Sequence, residues 1–147
     1  MRYSIIASVL LAGAAALPAQ DAVDFEKHVW PIFERSCIEC HRASYKDPQG
    51  LTHNPKGGLR LDGKGWIMLG SNNERVVKPG DPGDSLLYIL TTLDSDDRDF
   101  MPRKRKALTL TEQSTLERWI KQGANFGAWV GTGGPQVGAE AAEREVV

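Results

Sequence analysis

The chain has 147 residues, 41% of them hydrophobic and 25% charged, a globular balance that suits one domain and excludes bulk disorder. Lys and Arg number 18 against 19 Asp and Glu, and a net charge of −1 excludes the strongly basic face of a nucleic-acid binder.

Residues 1–19 read as an export signal. Arg2 gives a positive start, residues 5–17 are mainly apolar, and small residues around 14–19 offer a cleavage site. The apolar run is shorter than the roughly 20 residues of a spanning helix, so cleavage is expected, with an uncleaved anchor as the alternative. No second hydrophobic run follows, so no stable membrane span is expected after signal removal, and the mature chain is assigned to the periplasm or another exported location.

From Asp24, a plausible N-cap, Phe25, Val29, Ile32 and Phe33 recur at helical spacing. Pro31 must kink this helix or divide it, the second piece starting near Pro31. The helix leads into Cys37-Ile38-Glu39-Cys40-His41, which contains both cysteines of the chain. Two thiols three residues apart on one turn can both reach the vinyl groups along one porphyrin edge, and the next residue then sets an imidazole under the iron. Cys-x-x-Cys-His is the attachment signature of c-type haem. Three other readings compete. A thioredoxin-like dithiol expects a βαβ setting, a structural zinc site expects four ligands, and a plain disulfide leaves His41 unexplained. Export favours haem, because covalent attachment takes place outside the bacterial cytoplasmic membrane.

Residues 42–58, rich in Gly and Pro, read as a long loop. A short helix or turn follows around 63–69, and 76–83 reads as an extended entry with turns. Asp84 or Ser85 can cap a helix from Leu86 to about Leu93, apolar nearly all round and so expected to be well buried. Asp94 to Asp99 carries four aspartates and one arginine, Phe100-Met101-Pro102 interrupts it, and the basic run Arg103 to Lys106 follows. Thr109 and Glu112 fit a capping box for the last helix, with Leu116, Trp119 and Ile120 on one face and Gly123 as the C′ residue. Phe126 and Trp129 complete a domain over 20–130. Residues 131–147 read as a flexible tail.

For a haem at Cys37 and Cys40, His41 is the proximal iron ligand, its other ring nitrogen held by an acceptor such as a backbone carbonyl. The sixth ligand must come from elsewhere. Met68 sits in an apolar cluster where a core role is the default. Met101 precedes a proline in an irregular loop, a placement that favours it as the thioether ligand, which raises the reduction potential. His53 is the main rival and would lower the potential; His28 lies on the helix leading to the proximal side. An open sixth position is the remaining alternative.

In their order, these segments resemble the class I cytochrome c fold, and more specifically the planctomycete-type cytochrome c domain, over about Asp24 to Trp129. The resemblance rests on Val29-Trp30-Pro31-Ile32-Phe33, Cys37-Ile38-Glu39-Cys40-His41, Gly57-Gly58-Leu59-Arg60-Leu61-Asp62 and Val77-Lys78-Pro79-Gly80-Asp81-Pro82. It continues with Ser85-Leu86-Leu87, Met101-Pro102, Leu108-Thr109 and Trp119-Ile120-Lys121-Gln122-Gly123-Ala124. It implies an all-α fold of about four helices wrapped around one covalently bound haem c. It also implies Cys37 and Cys40 as thioether attachment points, His41 and Met101 as axial ligands, and the first helix packed against the last. The chain departs from the family after Met101-Pro102, where a second proline is common and Arg103-Lys104-Arg105-Lys106 stands instead.

The expected function is electron transfer between redox protein partners by an exported mono-haem carrier rather than an enzyme. The alternatives are a haem enzyme or a gas or peroxide sensor with an open sixth position, and a haem relay subunit of a larger dehydrogenase. The four aspartates before Met101 and the four basic residues after it read first as solvated segments that neutralise each other. An orienting surface for a redox partner is the functional alternative.

Overall fold

The computed structural model describes residues 21–72 and 74–135. The expected export signal and most of the expected tail lie outside them. The chain enters through a single π-helical turn, Phe25–Val29, which Asp24 caps by accepting a hydrogen bond from the Lys27 amide on its side chain. The Trp30 amide donates to the Phe25 carbonyl, and an α-helix, α1, runs over Trp30–Ser36 with Pro31 in its first turn, where a missing N–H costs nothing. The backbone stays helical through the junction, so the helix is not cut in two; its winding changes from π to α at Val29–Trp30, beside Pro31. Three further α-helices follow: α2 over Lys64–Leu69, α3 over Leu86–Thr92 and α4 over Leu110–Lys121.

The all-α expectation is overturned. Inside the expected loop, β1 (Tyr45–Lys46) pairs antiparallel with β2 (Thr52–His53), Tyr45 opposite His53 and Lys46 opposite Thr52. The cause is local turn chemistry. The Asp47 carboxylate accepts from the amides of Gln49 (3.0 Å) and Leu51 (2.9 Å), and the Asp47 amide donates to the Leu51 carbonyl, which folds the chain back on itself. The Tyr45 and His53 rings then stack across the strands at 4.9 Å.

The core forms where the first helical segment meets α4. Phe25 packs against Trp119 (5.2 Å between ring centroids) and Phe126 (4.7 Å), and Phe33 meets Trp119 edge-on at 6.4 Å. Val29, Leu116 and Ile120 are buried among them. Helix α4 has the expected capping box. It ends in a Schellman motif, Ala124 donating to Trp119 and Gly123 to Ile120, with Gly123 at φ +97°.

Residues 131–135, assigned above to the tail, instead close over α2. Thr132 donates to the Asp62 carbonyl (2.8 Å) and Gly65 to that of Gly133 (3.0 Å). The approach depends on Gly63 and Gly65, where a Cβ would collide with the backbone of Gly133 and Pro135.

Candidate functional site

The Cys37–His41 segment continues from the end of α1. Cys37 still donates to the Phe33 carbonyl, and Cys40 (3.1 Å) and His41 (3.0 Å) both donate to the Cys37 carbonyl, so the motif is one wound turn. The following loop is tied to it twice, by Lys56 donating to the Cys40 carbonyl (2.9 Å) and Leu61 to that of His41 (2.8 Å). Across from the motif, the Met101 amide donates to the Leu90 carbonyl (2.9 Å), which joins the Met101 loop to the end of α3; the Met101–Pro102 peptide is cis. Helix α3 is in turn held to α4 by Gln113, whose side chain donates to the Thr91 carbonyl (2.8 Å).

These ties enclose two adjoining cavities of about 270 and 510 Å³, both lined by Cys37, His41, Lys56, Thr91 and Met101. The larger lies in the size range of ligand and cofactor sites, and the smaller adjoins it. The smaller has an apolar wall of Leu59, Leu61, Val76, Leu86, Leu87 and Leu90. Helix α3 is therefore not well buried, as its composition suggests. Leu86 is 40% exposed, Leu87 to Leu90 are half-buried, and Thr91 is its buried residue, because this apolar face borders open space. The larger cavity opens past Cys40 and is bordered by Arg103, Lys104 and Arg105.

The sequence singles out three other candidates for the sixth ligand, and each is engaged elsewhere. Met68 packs on the core and borders a separate cavity beside Gly133 and Gly134. His53 holds Asp47 through Nε2 at 2.8 Å. His28 accepts a hydrogen bond on Nδ1 from the Asp24 amide. Neither histidine borders the two cavities. The sequence reading did not identify Lys56, Thr91 or the leucine wall as site residues. The signal for the wall was the apolar character of α3 on every side.

One expected feature is missing: Nδ1 of His41 is buried without a hydrogen-bond partner, where a carbonyl acceptor is expected. Two properties of the site fit haem. Burial holds the His41 imidazole below its ordinary pKa, outweighing the backbone of Leu59 and Lys56, so the ring is neutral at pH 7, the form that ligates a metal. Burial also pushes the Cys37 thiol up to about 12, against the nearby Arg35 charge. A protonated, shielded thiol is the reverse of the lowered-pKa nucleophile of a thioredoxin-like dithiol. Both cysteines are free, and the described residues hold no cluster of three or more His, Cys, Asp and Glu side chains of the kind a structural zinc site needs. Two thiols, a neutral imidazole and a thioether around one apolar hollow form the donor set that haem takes.

Comparison with curated proteins and with solved structures gives no match. Residues 37–104 match the model of a family described as Planctomycete cytochrome C, a span that starts at Cys37 and includes Met101. The match places a planctomycete-type cytochrome c domain over residues 37–104, in agreement with the resemblance of the ordered motifs, and supports a haem-binding cytochrome.

Proposed function

We propose that the protein is an exported mono-haem c-type cytochrome that carries electrons between redox partners. Cys37 and Cys40 would form the thioether links to haem, and His41 and Met101 would hold its iron. The observation that carries this reading is that Cys37, His41 and Met101 border the same hollow, while Met68, His53 and His28 have partners elsewhere. Haem, when bound, supplies a one-electron ferric/ferrous couple, so that one electron is gained from a reduced partner and lost to an oxidised one. The chain's own residues set the conditions. The leucines of α3 exclude water, the winding of 37–41 aligns both thiols on one turn, and the bond from Met101 to Leu90 limits ligand movement between the two states. Small reorganisation suits a carrier, and an axial thioether raises the potential. Export is supported by the positively charged and apolar stretch over residues 1–19.

The test is pyridine haemochrome analysis of the protein from a periplasmic fraction, with one covalent haem per chain expected. Its absence removes the premise. Met101→Ala should abolish the weak Fe–S(Met) absorption band of the oxidised form, and Met68→Ala should leave it intact. The reverse pattern transfers the ligand to Met68. Rapid carbon monoxide binding to the reduced wild type would argue for an open sixth position.

A further inference from the structure

Helix α3 carries the apolar wall of the hollow, and its two ends are held differently. Its first turn is fixed by the core. The Leu87 amide donates to the Val76 carbonyl (2.9 Å), and Leu87 and Tyr88 pack against the buried cluster. Its last turn borders the hollow through Leu90 and Thr91, and the carbonyls there have no partner within the helix. The Leu90 carbonyl accepts from the Met101 amide (2.9 Å), and the next one, that of Thr91, accepts from the Gln113 side chain (2.8 Å). Among the described residues, this is the one hydrogen bond between α4 and α3. Phe100, beside Met101, is buried but lies outside the core cluster, which the chain rejoins at Leu108. The Met101 loop is therefore tied to the end of α3 rather than to the core. Gln113 also has a firm base. It follows Glu112, which closes the capping box of α4 and holds Arg35 at 2.7 Å, on the helix that leads into Cys37.

We propose that Gln113 is a positioning residue for the sixth iron ligand, and that the first turn of α4 sets the spacing between the segments bearing His41 and Met101. The inference rests on the carrier reading, with Met101 as ligand, and adds to it a residue that borders neither cavity. Its physical basis is two bonds in series. The carbonyls of Leu90 and Thr91 belong to adjacent peptide groups of one turn, so displacing one carries the other. Without Gln113, the Thr91 carbonyl loses its partner and the last turn of α3 is released from α4. On its other side that turn faces the hollow, so no packed side chain of the protein opposes its movement. Glu112 and Gln113, adjacent on α4, thus reach in two directions. One holds the helix that delivers the proximal motif, and the other holds the helix end that carries Met101.

Imidazole added to the oxidised holoprotein competes for the position assigned to Met101, so its affinity reports how readily the loop leaves. Gln113→Ala should raise that affinity by up to about tenfold, the most that one net hydrogen bond supplies. Gln113→Glu keeps the size of the side chain but removes the donor, and should have the same effect. Gln113→Lys restores a donor at the carbonyl end of α3, where a cation is favoured, and should bring the affinity back to within about twofold of the wild type. Amide hydrogen exchange locates the change. At Met101 it should quicken by the same factor in Gln113→Ala, and at Leu87, at the other end of α3, it should stay as it is. Asp24→Ala controls for general loosening. It removes the cap of the first helical segment, away from α3, and should lower stability to urea without changing imidazole affinity. The proposal is overturned if Asp24→Ala acts on imidazole as Gln113→Ala does, or if Gln113→Glu behaves as the wild type. It is also overturned if Gln113→Lys restores nothing, or if exchange quickens at Leu87 as much as at Met101. A wild type that lacks the Fe–S(Met) band removes the ligand assignment and this inference with it. A wild type that has the band, with Gln113 variants that bind imidazole no better, removes this inference alone.

Discussion

The Asp62 side chain is 9% exposed and accepts three hydrogen bonds, from Arg60 Nε (2.9 Å), Arg60 Nη2 (3.0 Å) and the Ala43 amide (3.0 Å). Arg60 also donates to Thr132 and lies over the Trp66 ring at 4.3 Å, so one carboxylate links the chain after His41, the entry to α2 and the end of the described chain. Burial raises the Asp62 carboxyl, but the Arg60 guanidinium and the Ala43 amide outweigh it, and its pKa lies below the ordinary value. A depressed carboxylate stabilises the fold fully above its unfolded pKa of about 3.9, and the contribution disappears as pH falls through the lower folded value. Asp62→Asn should therefore cost about 2 kcal/mol at pH 7, the scale of a hydrogen bond to a charged group. The difference from the wild type should narrow below about pH 4. Urea unfolding at pH 7 and pH 3 checks this, and a gap that stays constant contradicts it.

At the scale of elements, α4 was the most legible, because its signals are local. Thr109 and Glu112 define the capping box, Leu116, Trp119 and Ile120 the apolar stripe, and Gly123 the stop, and all of them act within a few residues of where they stand. An irregularity of the first helix beside Pro31 was legible for the same reason, and it takes the form of a change from π to α winding. The β1–β2 hairpin was not, since its strands are two residues each and Asp47 makes the turn through side-chain bonds that hydrophobic periodicity does not record. Closure of residues 131–135 over α2 was also hidden, because it depends on glycines whose missing side chains leave room for distant backbone. The cap does more than start α4. Glu112 bonds the Thr109 amide (2.8 Å) and also holds Arg35 of α1 at 2.7 Å. Thr109→Ala should cost about 1 kcal/mol. Glu112→Ala should cost more, because it loses the cap and the inter-helix pair together. A double-mutant cycle of Glu112 with Arg35 should give a coupling of about 0.5 kcal/mol, the figure for a pair whose arginine is largely exposed. No coupling would mean that the two helices are held by the aromatic core alone.

For the molecule as a whole, the core around Phe25, Phe33 and Trp119 closes on itself, but α3 does not. The sequence reading took an all-round apolar helix to mean burial by protein, and what it marked was a wall facing a hollow. Leu86, Leu87 and Leu90 border that hollow opposite His41, and apolar surface left open in this way indicates a ligand. The bound group then completes the fold as well as supplying its chemistry, and removing it should expose the wall. Covering a leucine fully is worth about 1.5–3 kcal/mol, so three that are already half-covered suggest a loss of about 3 kcal/mol. Cys37→Ala with Cys40→Ala, prepared free of haem as judged by absorbance, should unfold at lower urea concentration than the holoprotein by about that amount. It should also bind a hydrophobic dye such as anilinonaphthalene sulfonate. Because Cys37 only packs against the edge of the core around Trp119 and Cys40 is exposed, the near-ultraviolet signal of its aromatic rings should persist in the variant. A haem-free variant as stable as the holoprotein, with no dye binding, would mean that α3 closes over the hollow unaided. A variant that loses the aromatic signal as well would mean that core and hollow form one cooperative unit.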